Sequence, residues 1–109
     1  MKRYSLGEFE EIVLLAVGVL YDNAYAVSIT EELRKETGRK TTISAVHTAL
    51  YRLEEKGYLS SRMGESEARR GGKRKRCFMI TPLGKRALDE VQSLRDSLRN
   101  RIPRIAFEF

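Results

Sequence analysis

Up to Gly57 the chain repeats apolar residues at spacings of three and four, and beyond it that period gives way to two short runs suited to β-strands. Few small folds accommodate both. Leu6, Phe9, Val13, Ala16 and Leu20 form a first helical stripe, with Ser5 and Glu8 at the spacing of a capping box, until Asp22 and Asn23 interrupt it. A second stripe carries Ala26, Ile29 and Leu33 and stops at Gly38, with Arg34 and Lys35 near its negative end. In the third, Val46, Leu50 and Leu53 recur at four and three with Ala49 beside them; Thr41 or Thr42 caps the start and Gly57 ends it.

The runs 58–63 and 76–81 flank a glycine-containing, highly charged segment, which predicts a hairpin with a long basic tip. Thr81-Pro82 then places a capping residue before a proline at the first helical position. The last helix is expected to run to about Ile102, where Pro103 ends it. Helix, helix, helix, strand, charged loop, strand, helix is the order of a winged helix-turn-helix. The expected fold is therefore mainly α with a small β-hairpin. Residues 1–81 are expected to form the winged-helix domain, the candidate for DNA binding, and 82–109 a C-terminal dimerisation helix and tail.

Several function classes are set aside by what is missing from the sequence. One Cys and one His leave no intramolecular disulfide and too few ligands for a structural zinc site. Glu8, Glu10 and Glu11 interrupt what would have to be a signal peptide's apolar stretch, and no apolar run approaches the roughly 18 residues of a membrane span. A cytoplasmic protein without membrane contact is expected. There is no glycine-rich phosphate loop, Ser44 and Ser60 have no evident His/Asp partners, and the acidic pairs read as solvated helix faces, so no enzyme and no cofactor is expected.

The net charge of +6 favours an acidic partner, and its distribution is uneven. Residues 61–76 alone carry a net +5. Within them Arg69, Arg70, Lys73, Arg74, Lys75 and Arg76 surround Gly71 and Gly72, a pattern suited to gripping phosphates or entering a minor groove. On the third helix the side opposite the apolar stripe holds Ser44, Thr48, Tyr51 and Arg52, with His47 on its flank and Thr41 and Thr42 at its start. No carboxylate occurs from Thr41 to Arg52, and Glu54 and Glu55 fall in the last turns. A helix read this way fits a DNA major groove, whose width admits one helix. The competing reading of each feature alone is a solvated charged surface.

The chain resembles the PadR-type transcriptional regulators of the short, single-domain kind. The resemblance runs from Leu6-Gly-Glu-Phe-Glu to Thr81-Pro-Leu-Gly-Lys-Arg-Ala-Leu88. Its most specific stretches are 47–57 (HTALYRLEEKG) and 71–81 (GGKRKRCFMIT). It implies a dimeric repressor whose third helix enters the major groove and whose wing touches the backbone. His47 stands where the family usually has Tyr, Cys77-Phe78 replaces a Tyr pair, and Ala24 takes the place of a common Gly.

In the closing helix Ala87, Val91, Leu94 and Leu98 repeat at four, three and four, a heptad-like stripe that continues to Ile102. With Phe9 and Ile12 it is the expected interface of a homodimer; packing against the chain's own first helix is the alternative. Phe107 and Phe109 can join the contact. A small-molecule effector, if the protein has one, is expected at that interface, near the first and last helices. The function expected is sequence-specific binding of double-stranded DNA at an inverted-repeat operator. The alternative is a winged-helix module for protein or RNA, although single-stranded RNA would call for more stacking aromatics than the helix and wing offer.

Overall fold

The computed structural model describes residues 4–64 and 75–109, and within them the expected order of elements is realised. Helix α1 spans Glu8–Leu20, α2 Ala26–Thr37, α3 Ile43–Glu55 and α4 Pro82–Asn100. Strands β1, Leu59–Met63, and β2, Arg76–Ile80, pair antiparallel with Leu59 opposite Ile80 and Met63 opposite Arg76. A 3₁₀ turn, Tyr21–Asn23, joins α1 to α2, and another, Arg104–Phe107, follows α4.

Local chemistry accounts for most of the boundaries. Thr42 Oγ1 accepts the Ala45 N–H at 3.1 Å and caps α3. Gly57, at φ 81°, ends α3 by taking the left-handed turn that lets the Tyr58 N–H reach back to the Leu53 carbonyl. Gly38, at φ 68°, does the same for α2. The Thr81 hydroxyl accepts from the Gly84 N–H and donates to the Gly57 carbonyl, so one residue both starts α4 and fastens it to the exit of α3.

The start of α1 differs from the expected capping box. The Ser5 N–H donates to the Tyr58 hydroxyl, and Gly7 is the N-cap, its N–H directed at the Glu10 carboxylate. Tying the entry segment to Tyr58 draws Ser5 away from the helix axis, and the first turn begins two residues later.

Val13, Leu14 and Val17 of α1, Ile29 and Leu33 of α2 and Val46, Leu50 and Leu53 of α3 meet in one core, which Leu59 and Phe78 close from the hairpin side. Each large apolar side chain so buried contributes about 1.5–3 kcal/mol. Cys77 is buried as well, its thiol 3.5 Å from the Asp22 carbonyl, consistent with a small apolar filler.

Helix α4 leaves this body. Only Gly84 and Ala87 near its start are fully buried. The radius of gyration is 16.7 Å and the long axis 61 Å, against about 13 Å for the radius of a compact domain of this length. The excess comes from a helix with no protein along most of its length. Arg95 donates to Glu11 at 2.8 Å, the one ion pair among the described residues that ties its second half back to α1.

Candidate nucleic-acid interface

Helix α3 presents two unlike sides, as its period requires. Val46, Ala49, Leu50 and Leu53 are buried, whereas Thr42, Ser44, His47, Thr48, Tyr51 and Arg52 are exposed together on the opposite side. The His47 and Tyr51 rings lie nearly parallel with centroids 6.5 Å apart, and Thr48 donates to the Ser44 carbonyl one turn back. Thr41 does not belong to this surface. It is 9% exposed, and its carbonyl accepts from Arg34 Nε at 2.8 Å, because it closes the α2–α3 turn while Thr42 performs the capping.

The exposed side carries no carboxylate until Glu55 in the last turn of α3, and Glu54 is turned from it for a structural reason. Glu54 is held by the Ser61 hydroxyl of β1, and Ser61 in turn accepts from Arg76 at 2.8 Å. This chain of contacts turns Glu54 toward the hairpin. Glu10 is similarly paired with Lys56, whose ammonium also donates to the Ser5 carbonyl.

The base of the hairpin stands beside α2 and α3. The Gly64 N–H donates to the Lys75 carbonyl at 2.7 Å, and the Lys75 ammonium lies 5.7 Å from the centre of the Tyr25 ring. Lys75 and Arg76 are both exposed, although Arg76 spends part of its guanidinium on Ser61. The other wing cations, Arg69, Arg70, Lys73 and Arg74, lie outside the described residues.

Between the hairpin and α3 runs an open, largely apolar groove of about 240 Å³, lined by Tyr25, Val27, Ile43, His47, Tyr51 and Lys75 among others. Tyr25, Val27 and Ile43 are members of this surface that hydrophobic periodicity alone does not reveal. Tyr25 is the N-cap of α2, its N–H donating to Ser28 Oγ, and so projects at the positive end of that helix. The one signal in the sequence was their position at the starts of α2 and α3.

The stripe proposed for self-association divides into two parts. Ala87 is completely buried in the chain's own core, so it is removed from any intermolecular surface: the first turns of α4 pack on β2. Leu94 and Leu98 are 60% and 55% exposed, Ile102 and Phe9 are also exposed, and Ile12 and Val91 are half-buried. Three further apolar residues join the exposed set: Leu15, Val19 (70% exposed) and Ile105. Ile12, Leu15 and Val19 share the side of α1 opposite its core face, so α1 is apolar almost all round. Among the described residues no three His, Cys, Asp or Glu are grouped to hold a metal ion, and no helix is long and apolar enough to cross a membrane.

Residues 14–90 match the family model described as the transcriptional regulator PadR-like family. None of the curated proteins matches the chain. Among solved structures, a PadR-like transcription factor from Bacteroides fragilis is 25% identical, with 84% of each chain covered and a TM-score of 0.69. A PadR family transcriptional regulator from Eggerthella lenta is 22% identical, covering 94% of this chain and 88% of the other, also with a TM-score of 0.69. Bacillus subtilis PadR in complex with operator DNA is 19% identical over 78% of this chain and 46% of that one, with a TM-score of 0.64.

Proposed function

We propose, from the premise that the chain belongs to the PadR-like family of transcriptional regulators, that it is a dimeric repressor binding an inverted-repeat DNA operator. The observation that carries this reading is the exposed surface of α3. From Thr42 to Arg52 six polar, aromatic or cationic side chains face outward without a carboxylate among them, beside a hairpin on which Lys75 and Arg76 are exposed. Such a surface fits a polyanion, and the curvature of one helix fits a major groove. On this reading the exposed Ser44, Thr48, Tyr51 and Arg52 reach base edges or phosphates, with Thr42 and His47 at their flank. That Bacillus subtilis PadR, of similar fold, forms a complex with operator DNA supports duplex DNA as the partner.

The second copy follows from the faces the single chain leaves uncovered. Val19 and Leu15 on α1 and Leu94, Leu98 and Ile102 on α4 are large apolar side chains that the single chain leaves exposed, and such side chains grouped on a surface mark an interaction site. A twofold-related copy covering it gives a pair with two α3 helices, and the reading requires both to face the same duplex. When they lie about 34 Å apart they reach successive major-groove faces, so the operator is an inverted repeat. Repression results from occupying the promoter. An effector that loosens binding would act at the same α1–α4 contact, because a shift there changes the separation of the two α3 helices.

The test is binding to a selected palindromic duplex at several salt concentrations. Each phosphate neutralised contributes about −0.9 to the slope of log K against log salt, so a steep decline is expected. Affinity indifferent to salt, or stronger binding to single-stranded RNA than to duplex DNA, would overturn the reading.

A further inference from the structure

The first residue of α3 is out of character with the surface it borders. Ile43 is an aliphatic side chain, 42% exposed, at the edge of a face otherwise made of hydroxyls, rings and an arginine. At 100° per residue it lies on the His47 flank, and as the first helical residue its side chain leans beyond the helix start. Across the groove stands Val27, in the first turn of α2 and half exposed, while Leu50 and Phe78 form the floor. A singly exposed isoleucine is ordinary on a protein surface. Two exposed aliphatic residues from two different helices, lining one groove at the leading end of α3, constitute a small apolar contact site.

Its surroundings identify the occupant. Lys75 and Arg76 rim the groove, and no carboxylate lies between Gly38 and Leu53, so the complementary surface is anionic. The edges of base pairs in the major groove present donors and acceptors at nearly every position. The exception is the 5-methyl group of thymine, the one apolar group there. A donor or acceptor pressed against Ile43 would lose its water without gaining a partner, whereas a methyl group loses nothing.

We propose that Ile43, backed by Val27, receives the 5-methyl group of a thymine in each operator half-site, so that one base is read by apolar contact rather than by a hydrogen bond. This deepens the DNA-binding reading above and rests on it.

Binding sites selected from a random duplex library with the full chain provide the test. Each thymine of a selected site is replaced in turn by deoxyuridine, which lacks only the methyl group, and affinity is measured by fluorescence anisotropy. One thymine per half-site is expected to matter, its replacement weakening binding about fourfold, the worth of one buried methyl group. Ile43→Ala should bind the thymine and uracil sites equally, and Ile43→Val, which keeps a branched apolar side chain, should still prefer thymine. Uracil tolerated everywhere within twofold would overturn the inference while leaving DNA binding intact, and so would an Ile43→Ala protein with an unchanged thymine preference. A library from which no duplex is enriched would overturn the DNA-binding reading itself, and this inference with it.

Discussion

Gly84, in the first turn of α4, lies so close to the backbone carbonyl of Tyr58 that a Cβ at that position would overlap the oxygen, and would come within 3.2 Å of Ile80 Cγ2. The same carbonyl accepts the Thr81 N–H, so a hydrogen bond and a close approach join α4 to the rest of the fold at one place. Gly84→Ala is expected to destabilise the protein by about 3 kcal/mol, the upper range for overpacking a site with backbone on the far side. For a domain of this size that is a fall in Tm of roughly 15 °C. A thermal melt unchanged from the natural chain would show that α4 is not anchored this way.

This junction also illustrates how far the sequence could be read. The Thr81-Pro82 signal located the start of α4 because capping is a local matter, settled by adjacent residues. Nothing in that signal marks Gly84, whose constraint comes from Tyr58, 26 residues upstream. The buried side of α3 was legible for the same reason as the cap: Val46, Ala49, Leu50 and Leu53 follow the helical period, and all four are buried. Thr41 departs from the expectation because either of two consecutive threonines can cap a helix; Thr42 caps α3 and Thr41 turns inward. Ala87 fits a heptad and a core equally well, since a stripe on one helix does not reveal which of two partners covers it. The outer side of α1 is illegible for the opposite reason: an all-round apolar helix has a weak period, in which Leu15 and Val19 do not stand out.

The exposed stripe of α4 leads to a prediction that separates folding from association. Leu94 and Leu98 make no contribution to the single chain's core, so Leu94→Glu with Leu98→Glu should leave its helical content near that of the natural chain. In a dimer the same changes place four carboxylates in an apolar interface, where unpaired charges are costly. Light scattering is expected to report a monomer at micromolar concentration, and operator affinity should fall at least a hundredfold as the second half-site is lost. A dimer of undiminished mass would mean that α1 and α4 do not form the contact.

Tyr21 closes α1 with φ 52° and ψ −111°, a conformation that a residue bearing a Cβ adopts only under strain. Its ring is mostly exposed, so little packing is lost on removing it. Tyr21→Gly is therefore expected to stabilise the fold by about 1 kcal/mol, the relief of strain exceeding glycine's greater entropy in the unfolded chain. Urea denaturation with an unchanged m-value and a higher midpoint would bear this out. A lower midpoint would indicate that the ring is needed where it stands.

The two parts of the proposed DNA surface should fail differently when altered. Lys75 is an exposed cation at the base of the hairpin, resting against the Tyr25 ring, with no ion-pair partner among the described residues. A phosphate contact carries no sequence information, so Lys75→Ala should weaken binding to selected and unrelated duplexes by the same factor and reduce the salt slope by about 1. Thr48 sits at the centre of the exposed side of α3, and its hydroxyl, while donating to the Ser44 carbonyl, keeps lone pairs free to accept from a base edge. Thr48→Ala should therefore leave the salt slope unchanged and alter the ranking of sites, lowering affinity for the selected operator by about 1–2 kcal/mol while unrelated DNA binds as before. Competition assays over a panel of single-base variants resolve the two patterns. A uniform loss for Thr48→Ala across that panel would place this residue at the backbone and leave base reading to its neighbours on α3.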